Sequence, residues 1–185
     1  MMRRATRADL AGLPLEVAPR LLGAELRVAT REDAISEGAH GAGETEVRLR
    51  ITEVEAYHGK GTGPLPDPGS HARMGPTARN ATMWGEPGHL YVYLSHGIHS
   101  CVNVVCGPDG TAGGVLLRAA ELTTGVDAAI ARSRRSGRDL ARGPGRLGQV
   151  SGLRYPTHDG IDAITGAELS GARAELWLGE PLAEV

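Results

Sequence analysis

Glu46-Val47-Arg48-Leu49-Arg50-Ile51-Thr52-Glu53-Val54-Glu55-Ala56-Tyr57 is the stretch that decides the fold. Val47, Leu49 and Ile51 alternate with Arg48, Arg50 and Thr52, the period of two of a half-buried strand. Continued in phase, Glu53, Glu55 and Tyr57 extend the core-facing row, yet the apolar residues there are Val54 and Ala56. Either a β-bulge switches the phase, or the interior row opens into a polar pocket. Both arrangements bring a carboxylate and an aromatic ring to the end of a rigid element. A Gly- and Pro-rich loop over residues 58–80, carrying His71, follows directly.

Working outward, Thr6-x-x-Asp9 is a capping pattern for a first short helix. Leu15 to Leu22 reads as a second, ending before Gly23. Ala24 to Thr30 is strand-like, and Ser36 to Gly43 reads as a hairpin loop. Leu90, Val92 and Leu94 alternate with Tyr91, Tyr93 and Ser95. Ser95-His96-Gly97 is a turn, and Ile98 to Cys106 returns as a strand, so His96 sits near a hairpin tip. Gly114 to Leu122 is a further strand. Thr124 is placed to cap a helix running to about Arg134, Gly143-Pro144 to open another reaching about Val150, and Ala172 to Leu178 to form a last strand. Strands in runs, bracketed by helices, predict an α+β fold with a curved, barrel-like antiparallel sheet.

The chain of 185 residues can bury a sizeable core. It has no Phe and only six aromatic residues, so each Tyr and Trp carries weight. Cys101 and Cys106 lack the second pair that a zinc site needs. His58, His71, His89, His96 and His99 show no HExxH or facial-triad spacing, so neither a metal nor another cofactor is expected. No apolar run is long enough to span a membrane, and the start lacks a secretory h-region; a cytoplasmic location is the expectation. The net charge of −2 hides a polarity. Residues 132–154 carry seven Arg against Asp139, whereas residues 155–185 carry six acids against Arg173. The basic stretch suits phosphate; a solvated helix face is the competing reading.

Four groups of residues invite chemistry. Glu53 and Glu55, at i and i+2, share a strand face and could form the carboxylate pair of a glycosidase. Arg118 lies among Val115, Leu116 and Leu117, where a charge requires a partner; Glu55 is the candidate. Tyr57, Tyr91 and Tyr93 form a stacking platform if their strands are neighbours. Gly143-Pro144-Gly145-Arg146-Leu147 offers backbone amides and an Arg at a helix start, a weak anion-binding pattern.

In order, Glu53-Val54-Glu55-Ala56-Tyr57, Ser70-His71-Ala72-Arg73, Thr77-Ala78-Arg79-Asn80, Gly88-His89-Leu90-Tyr91-Val92-Tyr93, Asn103, Leu116-Leu117-Arg118-Ala119 and Gly143-Pro144 resemble the alkyladenine (3-methyladenine) DNA glycosylase family, of the mammalian-type fold with bacterial members. The likeness runs over about residues 10–180. It implies a single glycosylase domain over residues 1–185, with a C-terminal end shorter than the family's usual one. It implies that Glu55 activates the attacking water and Arg118 helps to position it. Tyr57, His71, Tyr91, Tyr93 and Asn103 would line the base pocket, with Asn103 excluding the exocyclic amine of normal guanine. His96 would wedge into the DNA stack, where the family usually carries Tyr, and Arg79, Met83, Gly143 and Arg146 would join it on the DNA-binding surface. The implied partner is double-stranded DNA with damaged purines, acted on by a monomer associated with the nucleoid in a bacterium.

The residues support this chemistry independently. An enzyme acting on a base inside a duplex needs a pocket, stacking rings and a wedge. An alkylated purine carries positive charge and leaves readily, so a positioned water and a carboxylate suffice. A lyase would need an amine nucleophile, and Lys60 is the only lysine; a monofunctional enzyme is expected. Two other classes remain: a non-enzymatic binder of damaged or structured nucleic acid, which does not need Glu55, and a carbohydrate glycosidase using Glu53 and Glu55, which does not need the Arg stretch.

Overall fold

The computed structural model describes residues 1–31, 43–62, 66–108, 110–135, 137 and 139–179. Its strands are β1 (Arg3–Arg4), β2 (Glu25–Arg31), β3 (Glu44–His58), β4 (His89–Ser95), β5 (His99–Val105), β6 (Gly113–Thr124), β7 (Ile161–Asp162) and β8 (Ala172–Leu178). Its helices are α1 (Pro14–Leu21), α2 (Val126–Ser133) and α3 (Pro144–Ser151), with 3₁₀ turns at Arg7–Leu10 and Ala81–Trp84. The strands form one antiparallel sheet in the order β1-β8-β2-β3-β6-β5-β4-β7. The sheet curls: the Leu176 N–H of β8 donates to Ala163 O, just past β7, at 2.9 Å. The fold is α+β with a curved half-barrel, as the sequence predicts.

Helix α1 buries Val17, Ala18 and Leu21 along one face and packs on β3 and β6, while α3 packs on β5. The predicted first helix is a single 3₁₀ turn, its Asp9 accepting from the Thr6 N–H and hydroxyl at 2.8 Å each. The cap expected at Thr124 belongs to Gly125 instead. There the chain crosses β3 at φ 79°, and a Cβ would stand 2.3 Å from Glu46 O, so only glycine fits. The hairpin loop expected at residues 36–43 lies outside the described residues except for Gly43.

The main core lies on one face of the sheet. Leu26, Leu49, Ile51, Leu90, Leu117 and Leu176 are among its fully buried members, each worth about 1.5–3 kcal/mol of burial. The phase question in β3 is resolved by a bulge. Ile51 pairs with Ala120, Glu53 with Ala119 and Val54 with Leu117, so Thr52 on β3 and Arg118 on β6 have no partner across the ladder. Beyond it Val54 and Ala56 pack against the main core. Glu55 and Tyr57 therefore face the opposite side, and the continuous core-facing row through Glu53, Glu55 and Tyr57 does not form. On that second face Ala72, Met83, Tyr91, Val105 and Ala112 make a smaller cluster, joined by Trp84 and Tyr93.

Candidate functional site: an aromatic slot beside a bound carboxylate

The second face carries the site. Directly opposed residues of antiparallel strands share a face, and Tyr91 opposes Asn103, Asn103 opposes Leu116, and Leu116 opposes Glu55. One row further, Tyr57 opposes Gly114 and Gly114 opposes Val105. The strands of Tyr57 and of the other two tyrosines are not neighbours, contrary to the simplest platform; β6 and β5 lie between them. Three strand spacings, about 14 Å, separate the β3 and β4 backbones. Gly114 contributes no side chain to the floor between them. The result is a slot lined by Tyr57, Gly69, His71, Met83, Tyr91, Tyr93 and Asn103.

Residues 66–80 of the loop after β3 roof this slot, held by side-chain bonds to backbone. Asp67 accepts from the amides of His58 and Gly69 at 3.0 Å each. Buried Asn80 donates to His71 O at 3.0 Å and to Gly75 O at 3.1 Å, and its own Oδ1 accepts from Thr77 N at 2.7 Å. Asn80 thus fixes where His71 sits. His71 stands edge-on to Tyr93 at 4.5 Å between ring centroids, and its Nδ1 is 3.2 Å from the Tyr91 hydroxyl. Tyr91 and Tyr93 stack at 5.5 Å with planes 22° apart. Asn103, buried, donates to Tyr91 O at 3.1 Å. Met83, expected on the DNA-binding surface, is buried and lines the slot.

The slot's walls are held uncharged. Burial pushes the Tyr57 and Tyr91 phenols up to about 12, Tyr57 with help from the Glu55 carboxylate and Tyr91 from Asp159. Burial raises Tyr93 still further, with Cys101 adding to it. Burial also lowers His71, and the positive Arg79 and Arg73 lower it more, so its imidazole is neutral at pH 7. A positive ligand here meets electron-rich rings and no competing cation on the wall itself.

At the slot's edge, Arg118 Nη1 donates to Glu55 Oε1 at 2.8 Å, and the Tyr57 hydroxyl donates to Glu55 Oε2 at 2.8 Å. A carboxylate offers about four lone-pair directions; two are occupied, and each oxygen keeps one for a water. Arg118 Nε is also 4.0 Å from Glu53, a more exposed carboxylate set apart from Glu55 by the bulge. The two acids of the i, i+2 pair therefore stand in different surroundings.

His96 and Gly97 are the central residues of the turn at the β4–β5 hairpin tip, with φ of 51° and 73°, and Ile98 N–H donates to Ser95 O at 3.1 Å. Positive φ at both positions matches the right-handed twist of the strands. His96, Gly143 and Arg146 line one groove between this tip and the start of α3, together with Arg135 and Arg142. Arg79 donates to Leu94 O at 3.2 Å on the same hairpin. Arg132 is different: it donates to Val150 O at 2.9 Å and to the Thr30 hydroxyl at 2.7 Å, tying α2 to α3 and β2. Among the described residues no group of three or more His, Cys, Asp or Glu is placed to hold a metal ion, and no helix is long and apolar enough to cross a membrane.

The slot and its carboxylate lie within a recognisable sequence. A family model described as methylpurine-DNA glycosylase matches residues 9–182. A protein of Leifsonia xyli subsp. xyli is 51% identical over 158 residues, 81% of this chain and 65% of that protein. One of Nocardia farcinica is 49% identical over 142 residues, 76% and 59% of the two chains. One of Mycolicibacterium fortuitum is 46% identical over 177 residues, 93% and 79%. All three bear the name "Putative 3-methyladenine DNA glycosylase". The first two matches span less than two thirds of those relatives' own length. This chain belongs to the methylpurine-DNA glycosylase family.

Proposed function

We propose that this protein is a monofunctional, monomeric DNA repair glycosylase that removes alkylated purines from double-stranded DNA. The observation that carries the reading is the Glu55 carboxylate, fixed by Arg118 and Tyr57 at the edge of an uncharged aromatic slot. The relatives' names suggest 3-methyladenine as a substrate; 7-methylguanine, hypoxanthine and ethenoadenine are further candidates.

The flipped base enters between Tyr57 on one side and His71 with Tyr93 on the other. Each ring face attracts a cationic purine by roughly 0.5–2 kcal/mol, which favours alkylated over normal bases. Asn103, on the floor, excludes the amine of guanine. A water held on a free lone pair of Glu55 attacks C1′ of the sugar. The C1′–O bond forms as the bond to the purine nitrogen breaks; the electron pair leaves with the base, and the water's proton passes to Glu55. His96 fills the vacated stack, and Arg79, Arg146 and the amides following Gly143 hold the phosphate backbone without reading sequence. An intact abasic strand remains, since the chain's one lysine, Lys60, is not among the residues that line the slot.

The test is Glu55→Gln. It keeps shape and hydrogen-bonding capacity but removes the base. Affinity for a lesion duplex should stay within a few-fold of wild type, while base release falls on the order of 10²–10⁴-fold. Release at the wild-type rate would sink the mechanism. Binding by the wild type without release from any lesion duplex would favour a non-enzymatic binder.

A further inference from the structure

The half-buried Asp159 is used by none of the steps above. Its Oδ1 accepts from the Val92 N–H at 3.0 Å, and its Oδ2 accepts from the Thr82 hydroxyl at 3.0 Å. Val92 is the residue between the two stacked tyrosines, and Thr82 precedes Met83 in the 3₁₀ turn. Strand β7 pairs with β4 only at His89 and Leu90. The carboxylate continues that pairing, binding the next amide on the same edge. One side chain thus fastens the strand carrying two pocket walls to the turn carrying a third.

All these donors are neutral. Among the described residues no cation makes a salt bridge with Asp159, unlike Glu55 with its arginine. Asp159 stands close enough to Tyr91 to help raise its phenol, and Arg79 sets an opposing positive charge against the same phenol. Burial raises Asp159 itself, opposed by the donors from Val92, Thr82 and Gly160.

Resting on the glycosylase reading, we propose that Asp159 is a specificity-determining residue. It braces the tyrosine wall, and its negative charge beside that wall, acting against Arg79, biases the pocket toward positively charged purines over neutral ones. A partly buried charge acts on a pocket through low dielectric and is weakly screened.

Single-turnover base release should be timed at pH 6.5, where 7-methylguanine keeps its N1 proton and its positive charge, for wild type, Asp159→Asn and Asp159→Ala. The duplexes carry either 7-methylguanine, a cation, or hypoxanthine, which is neutral. Asn keeps an oxygen for Val92 N–H and a polar group for Thr82, so it preserves the brace and removes the charge. The cation-to-neutral rate ratio should fall about tenfold in Asp159→Asn, chiefly by slower 7-methylguanine release. Asp159→Ala should slow both bases. Where hypoxanthine release is too slow to time, the same ratio is read from Kd values of the Glu55→Gln protein with and without Asp159→Asn. An unchanged ratio in Asp159→Asn would overturn the proposal. Wild type that releases neither base would instead overturn the glycosylase reading.

Discussion

Arg118→Ala separates what the Arg118–Glu55 pair does for stability from what it does for the site. The side chains are 43% and 36% exposed. An ion pair that open to water contributes about 0–1 kcal/mol after solvent screening. For a chain of this size, 1 kcal/mol shifts Tm by roughly 2–4 °C. Removing Arg118 should therefore lower Tm by no more than about 4 °C. The effect on base release should be far larger. Arg118 is one of two groups that fix Glu55, and Tyr57 reaches only the other oxygen. A carboxylate free to swing by about 1 Å loses on the order of 10²-fold in rate.

Three measurements on one protein check this: Tm by calorimetry, single-turnover release at saturating enzyme, and lesion-duplex Kd across salt concentrations. The salt slope should not change, because removing a phosphate contact would reduce it by about one. Arg118→Lys, which keeps charge but lacks the planar fork, should recover part of the rate. A fall in Tm of about 8 °C or more would mean that the pair is structural. A wild-type rate in Arg118→Ala would refute its positioning of Glu55.

Stability should depend on pH through two histidines. Burial holds His71 and His158 below the ordinary imidazole range, so on acidification the unfolded chain takes up protons that the folded chain refuses. Their contribution is complete above about pH 6.5 and is lost as pH falls through the lower folded values. Tm should drop between pH 7.5 and 5.5, and less so in His158→Gln; a Tm that rises over this range contradicts the sign. Gly148→Ala should destabilise by roughly 3 kcal/mol in urea titration. A Cβ there would lie 1.8 Å from Ser100 O, so α3 must lift from β5. Gly145→Ala meets only the exposed His99 side chain and should cost less; equal costs would show that α3 is not seated by Gly148.

Local patterns in the sequence reach some of these features and not others. Arg118 among apolar residues demands a carboxylate, and the demand leads to Glu55. The alternation of Tyr91 and Tyr93 with Leu90, Val92 and Leu94 places both rings on one face, where they are found. Period alone does not give strand order: residues 59–88 separate β3 from β4, and only the placement of β6 and β5 between them sets the slot's width. The basic run looks uniform as a string of Arg, yet Arg132 is turned inward by Thr30, which lies far away in sequence. Asn80 sits in a quoted motif with no role attached, and Asp159 sits in none. Asn80 acts through backbone groups, and Asp159 through a backbone amide and the distant Thr82 hydroxyl, neither of which leaves a local residue-type signal.

The bulge explains how one strand serves both a core and a pocket. Ile51 and Ala120 face the main core, and so do Val54 and Leu117 three residues away on each strand. Three is odd, so both strands must change phase within the same interval. A bulge on β3 alone would match Val54 against the wrong face of β6 and send either an apolar residue out or a charge in. Omitting one residue from each ladder, Thr52 and Arg118, keeps the core rows matched. It turns Glu55 outward and leaves Arg118 free of the ladder beside it. Without the paired irregularity Glu55 would follow Leu49 and Ile51 into an apolar interior, where an unpartnered carboxylate costs several kcal/mol. The phase change that protects the core therefore also assembles the carboxylate–guanidinium pair at the slot.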